Sequence, residues 1–364
     1  MKTESSVKNQ LFVPAEWRIA MNNEISTKNP LGENPVNSLL YQFAVPSIIA
    51  MLVSSLYNIV DQFFIGRSVG ALGNAATNIS FPLSISCVAI ALLFGIGGAS
   101  AFNIAMGMGE KENAVNYLAN SAAMLFLGGV ALTAVTLIFL EPLLKFFGSP
   151  DNVLEYAKVY TRIVALGFPF LIFTSGGGHL IRADGRPKIS MVCNLAGALI
   201  NSVLDALFVF VLNMGMAGAA YATIIGQIVS GLMAAWYLAH CRTIKIKKEN
   251  LRVRWKYISR VMSLGTAPCA NQLAMMVVQI VMNKSLKYYG SLSVYGESIP
   301  IACAGIITKV NQVFMSFIIG ISQGLQPITS FNYGAGRYGR VRSAYRSAVA
   351  CGAVLAVIAF ILFH

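Results

Sequence analysis

The chain has 364 residues, of which 56% are hydrophobic and only 11% charged, with a mean hydropathy of +0.66. Soluble domains run at about a quarter charged residues, so a soluble globular protein is excluded and an integral membrane protein is indicated. The net charge of +13, from 27 Lys+Arg against 14 Asp+Glu, would suit a nucleic-acid binder, but the charges fall in alternate loops between apolar runs and argue against nucleic acid as a partner.

Residues 1–37 are polar and lack the basic and then apolar pattern of a signal peptide. They read as a cytosolic tail, with Met21 as an alternative start. Apolar stretches long enough to cross a bilayer then follow near 38–66, 76–106, 113–140, 153–181, 187–212, 216–241, 257–287, 298–332 and 342–364. Alternating segments of about ten residues, the mark of a membrane barrel, are absent, so α-helices must satisfy the backbone in lipid. The fold class is all-α, a polytopic membrane helix bundle of nine predicted spans.

Arg182, Arg186 and Lys188 follow the fourth span, seven basic residues from Arg242 to Lys256 follow the sixth, and Arg337, Arg340, Arg342 and Arg346 follow the eighth. The intervening loops carry few: Arg67, Lys145 and Lys287. The positive-inside rule then makes the N-terminus and the even-numbered loops cytoplasmic. Cys87, Cys193, Cys241, Cys269, Cys303 and Cys351 show no CxxC spacing and read as small packing residues. His179, His240 and His364 lie far apart and form no ligand cluster, so no transition-metal site is expected, and His179 reads as a helix-end residue.

The halves of the chain correspond. Pro46 in the first span matches Pro268 in the seventh, and Gly97, Gly107 and Gly109 share their spacing with Gly324, Gly334 and Gly336. An ordered set of Pro and Gly at matched positions points to a duplicated six-span unit. The expected organisation is a first lobe over 38–241, a basic cytoplasmic loop over 242–256 and a second lobe over 257–364 with about three spans of its six. The apolar run that ends the chain, VLAVIAFILFH, reads as incomplete.

Asp205 interrupts ALINSVLDALFVF, the fifth span. A carboxylate at bilayer depth costs roughly 2.5–3.5 kcal/mol on insertion scales, which directs attention to function. Asn201 lies four residues earlier on the same helix face. Tyr57, Asn58 and Asp61 share a face of the first span, and Thr223 lies at similar depth in the sixth. Two carboxyl groups, an amide oxygen and a hydroxyl gathered from three helices make an oxygen-rich pocket for a hard monovalent cation. A shared proton suits it equally, since low dielectric and a like charge both disfavour an ionised carboxyl. At the position matching Asp61 the second unit carries Asn283, and Glu297 falls in the loop beyond, so ion coupling is expected in the first lobe.

Four segments in order, YNIVDQFFIG, IRADGRPK, NSVLD and GISQGLQPITSFNYGAG, resemble those of the MATE (multidrug and toxic compound extrusion) transporters, most nearly the bacterial MepA-like multidrug branch. The resemblance implies two six-helix lobes around a central cavity and efflux of cationic amphipathic compounds, coupled to inward Na+ or H+ by alternating access. It places the coupling cation on Asp61, Asn201, Asp205 and Thr223. Pro46 matches the first-helix proline whose bending is proposed to accompany protonation in some members. The seventh-helix glutamate of some Na+-coupled members has no counterpart, with Met276 near its place. The expected setting is a monomer in the bacterial cytoplasmic (inner) membrane, with organic cations and membrane lipid as its partners and no cofactor beyond the coupling ion.

Met51, Met275, Met276, Phe43 and Tyr57 are candidates to line a tolerant apolar cavity. A lipid-linked oligosaccharide flippase of related two-lobed architecture is the alternative reading; it calls for cationic residues in the cavity, where only Arg162 stands out. An enzyme is not expected, since neither aspartate lies in a GxGD motif and no HExxH occurs.

Overall fold

The computed structural model describes residues 29–149, 151–241, 243–244, 248–294 and 298–363. Most of the predicted tail, Glu297 and the side chains of Asn283 and Cys303 therefore lie outside the described residues. After one helical turn at Pro30–Glu33, ten long helices follow: α1 Val36–Ser68, α2 Ala71–Met108, α3 Lys111–Ile138, α4 Asp151–Ala165, α5 Phe168–Ala183, α6 Pro187–Asp205, α7 Gly215–Ala239, α8 Trp255–Ser291, α9 Ser298–Gly334 and α10 Tyr338–Phe363. The protein is an all-α, multi-pass membrane helix bundle.

Seven of these helices are each long and apolar enough to span a bilayer among the described residues, and α4 with α5 supplies an eighth as a bent pair. The expected eighth span is a single helix of 37 residues, α9; several side chains of its apolar first half lie outside the described residues, and its second half turns Ser316, Gln323, Gln326 and Asn332 to neighbouring segments.

The predicted straight span 153–181 is in fact broken, with α4 and α5 meeting at 57°. Pro169 has no N–H to give the carbonyl of Ala165, so the helix cannot run through. Thr133 Oγ1 takes over that task by donating to Ala165 O at 2.7 Å. The orphaned carbonyl is satisfied from the neighbouring helix, and the bend is locked to α3.

The glycines matched in the sequence are used alike. Gly109 (φ 84°) ends α2 and Gly336 (φ 70°) ends α9 in the left-handed conformation that glycine adopts without penalty. Each is followed by the same closing bond, Glu110 N to Ala105 O at 2.9 Å and Arg337 N to Asn332 O at 2.8 Å. Gly107 packs so tightly on Phe331 O, and Gly334 on Ile104 O, that neither has room for a Cβ. Backbones approach this closely where small residues replace side chains, a common route to helix association in lipid.

The chief helix partners are α1 with α9 and α2 with α8. The core around these contacts is closed by Leu39, Phe43, Phe102, Ile258, Val261, Ile328 and Phe331. Phe43 is 3% exposed, so it packs the bundle and does not line a cavity. Cys87, Cys193 and Cys241 are buried packing residues as expected, but Cys351 is exposed on α10, whose outer face is uncovered among the described residues.

Candidate functional site

Where α1, α6 and α7 meet α4, the four expected cation-site residues come together. Asp61 is 9% exposed, Asn201 3% and Asp205 0%. The carboxyl groups of Asp61 and Asp205 lie against each other. Asn201 Nδ2 donates to Thr223 Oγ1 at 3.5 Å, and that hydroxyl donates to Ala219 O at 2.9 Å.

The hydrogen-bond balance of this cluster is its most informative feature. Asp61 Oδ1, both carboxyl oxygens of Asp205 and Asn201 Oδ1 are buried with no hydrogen-bond partner in the protein. Each unsatisfied buried polar group costs about 1–3 kcal/mol, and more if charged. Three facing carboxyl oxygens and the amide oxygen of the neighbouring Asn201, all left without a donor, are of the kind that a monovalent cation or a proton takes as partners. The local backbone departs from α-helical geometry at the same place, since Asp205 ends α6 and Ala206–Val211 continues as a π-helix. Such turns are rare and frequent at functional sites.

Two further groups complete the site. Tyr57 and Tyr160 are placed within electrostatic reach of both carboxyl groups, and the Tyr160 hydroxyl lies near Thr223. Tyr57 was legible from its spacing to Asp61. Tyr160 was not, because it lies on α4, about a hundred residues away in the chain, and only the bend at Pro169 turns that helix toward α7.

A cavity of about 80 Å3 adjoins the cluster within the bundle of α1, α5, α6 and α7. It runs from Asn201 and Thr223 past Tyr57 and Gln227 to Asn194 and Ser230. A water needs only about 10–15 Å3 measured this way, so the space admits several waters or a dehydrated ion beside the carboxyl pair.

Other sequence candidates fall elsewhere. Asn58 is exposed and donates to Ser54 O at 2.7 Å within its own helix, so it does not join the cluster. Pro46 sits inside α1 near its seam with α9. Met276 lies between α8 and α2 with Ser86 Oγ 3.9 Å from its sulfur, and Met51 receives Gln323 Nε2 at 3.6 Å. Both are contacts between helices. Asn283 falls on α8, where its side chain is outside the described residues. Arg162 is exposed.

The segment IRADGRPK is structural. Arg182 Nη1 donates to Ser190 Oγ at 2.9 Å, tying the end of α5 to the start of α6, and Tyr237 OH donates to Asp184 Oδ2 at 2.7 Å. Burial pushes the Asp184 carboxyl above its ordinary range, against the pull of the Tyr237 and Thr243 donors and of Arg186. His179, expected at a helix end, is 4% exposed in the last turn of α5, with Arg182 and Gln326 of α9 nearby.

With fold and site in view, the protein can be set beside known ones. The MatE family profile matches residues 46–207 and 269–364. The chain belongs to the MatE family. MATE proteins are multidrug efflux transporters and not enzymes. Among its relatives are the multidrug export protein MepA of Staphylococcus aureus (strain MSSA476), 24% identical over 334 residues, which cover 90% of this chain and 71% of that protein. The MepA protein of Staphylococcus haemolyticus (strain JCSC1435) is 25% identical over 304 residues, covering 83% and 65%. Among solved structures, an outward-facing multidrug resistance MATE transporter of the MOP superfamily superposes with a TM-score of 0.83 at 25% identity, covering 91% of this chain and 73% of that one. A MATE in complex with MaD3S gives 0.83 at 24% identity, with 92% and 74% covered.

Proposed function

We propose that this MATE protein is a cation-coupled antiporter of the bacterial cytoplasmic (inner) membrane that exports cationic amphipathic compounds in exchange for inward Na+ or H+. The observation that carries the reading is the buried, facing carboxyl pair of Asp61 and Asp205, three of whose oxygens, with the Asn201 amide oxygen on the same helix face as Asp205, have no donor. Thr223 and Tyr160 border them. A cation or proton entering there supplies the missing positive charge, and nothing else in the cluster can.

The end of the bundle that carries Arg182, Arg186, Lys256, Arg337 and Arg340 is assigned to the cytoplasm, with the N-terminus on that side. Residues 38–241 and 257–364 act as two lobes joined by 242–256. The coupling ion favours one arrangement of the lobes and the organic cation the other, so each drives the release of its counterpart. Only a difference in affinity between the two arrangements does this; equal binding to both shifts nothing. The protein works as a monomer with no other cofactor.

The reading is tested by ethidium efflux from drug-sensitive bacteria under separately imposed Na+ and pH gradients, with Asp205→Asn alongside. Efflux that requires one gradient and Asp205 is expected and names the ion. Gradient-driven efflux retained in well-inserted Asp205→Asn refutes it.

A further inference from the structure

The two halves of the bundle hold each other by their leading segments. The residues just before α1 do not rest on α1's own half but on α9 and α10. Asn332 Nδ2 donates to Leu31 O at 2.9 Å, Arg337 Nη1 to Gly32 O at 2.5 Å, and Arg340 Nη2 to Asn34 O at 2.6 Å. Leu31 is buried in the same core as Phe331 and Ala344, and Ser347 Oγ meets Asn37 Oδ1 at 2.8 Å.

The residues just before α8 are held in turn by the first half. Asn113, Asn116 and Asn120 stand on one face of α3 at helical spacing. Asn120 Oδ1 accepts from Arg254 N at 2.8 Å, Asn250 Nδ2 donates to Asn116 Oδ1 at 3.0 Å, and Tyr257 OH donates to Asn113 Oδ1 at 3.1 Å. Tyr117 packs edge-on against the Tyr257 ring at 5.1 Å.

Both straps lie at the basic end, and between them run close glycine-mediated backbone contacts. Gly97 and Gly265 of α2 and α8 press on Val261 O and Leu93 O, while a Cβ at Gly324 of α9 would stand 2.6 Å from Ala44 N of α1. The contacts give out toward the other end, where Phe63, Val277, Val281 and Ile307 are exposed.

We propose that the two straps form one exchanged clasp that holds the basic end shut and opens as a unit when the halves separate there. Each half's leading segment is gripped by the other half, so separation at the glycine seams cannot proceed while either strap stays bound. Packed seams of this kind are bistable and not continuously deformable, which makes the straps cooperative. Assigning the shut end to the cytoplasm rests on the function proposed above; the clasp itself does not.

Hydrogen exchange of the purified full chain in nanodiscs tests this, read over residues 29–37, 248–258 and, as a folding reference, α7. Arg340→Ala loosens the first strap directly by removing its bonds to Leu31 O, Asn34 O and Asn332 Oδ1; the clasp requires exchange at 248–258 to accelerate as well, by about tenfold or more. Asn120→Ala is expected to accelerate 29–37 by a similar factor. Gly324→Ala, whose Cβ would press on Ala44 of α1 and on neither strap, should accelerate both. Changes confined to the mutated strap, or both straps unmoved by Gly324→Ala, overturn the proposal. If Arg340→Ala also accelerates α7, Ser347→Ala replaces it with the same two outcomes. Coupled straps in a protein without ion-driven efflux refute the antiport reading alone, and independent straps in an active exporter refute the clasp alone.

Discussion

Asp205→Asn has an expected consequence that separates a functional carboxyl from a packing one. Asp205 is fully buried, its two oxygens and Asp61 Oδ1 lack partners, and the two carboxyl groups face each other. An asparagine keeps the shape and places an amide N–H beside the Asp61 carboxyl. It removes one repulsive partner and satisfies one orphaned acceptor, a gain of about 1–3 kcal/mol by the usual cost of an unsatisfied buried group. The apparent melting temperature in cation-free detergent should therefore rise, by about 1–4 °C for a chain of this size. The variant should at the same time lose stabilisation by the coupling cation, which for the native site at a hundredfold excess over its dissociation constant amounts to about 2.7 kcal/mol. Thermal unfolding with and without Na+, at several pH values, reads both effects. A variant less stable than the native protein without cation, yet still stabilised by it, would show that Asp205 is a structural hydrogen-bonding group and refute the reasoning. Gain of stability with loss of function is the signature of a site kept strained for its work.

Tyr160→Phe should insert normally and weaken the apparent affinity for the coupling cation about tenfold, the worth of one polar group lost beside the carboxyl pair; cation titration of efflux reads it, and an unchanged affinity removes Tyr160 from the site. Thr133→Val leaves Ala165 O bare at the α4–α5 bend and should cost about 1–3 kcal/mol, whereas Thr133→Ser should retain most of it; equal unfolding midpoints for the two variants would show that the bend does not depend on this bond. Outside the spans, Glu141 binds Lys145 at 2.7 Å and Lys158 at 2.8 Å, and chiefly the Lys145 bond, then that of Lys158, holds its carboxyl down at about 2. The folded value lies below the unfolded value of about 4.3, so the contribution is complete above that pH and is lost only as pH falls through the folded value. The difference in unfolding midpoint between Glu141→Gln and the native protein should thus stay constant from pH 8 to pH 5, and a difference that shrinks over that range contradicts the assignment.

The class of the molecule and the residues of the candidate cation site were legible in the sequence because each has a local signature. Apolar run length dictates membrane-spanning helices, since the backbone has no other way to satisfy itself in lipid. Asp61 and Asp205 stood out because a carboxyl is costly at that depth, and Asn201 because four residues make one helical turn. Gly109 and Gly336 marked helix ends through conformational freedom that any chain would use there. What depends on distant segments meeting was left to the tertiary structure. Pro169 was visible as a residue, but that its helix would break into α4 and α5 depended on Thr133 being at hand to take the freed carbonyl. Tyr160 joined the site only through that bend, Asn58 left it by turning to its own backbone, and Phe43 went to the core. The exchanged straps have no sequence signature, because an asparagine on α3 does not announce which backbone it will bind. Periodicity and the cost of burying polar groups act within a segment and can be read along it; partner choice across the bundle is settled by which surfaces pack.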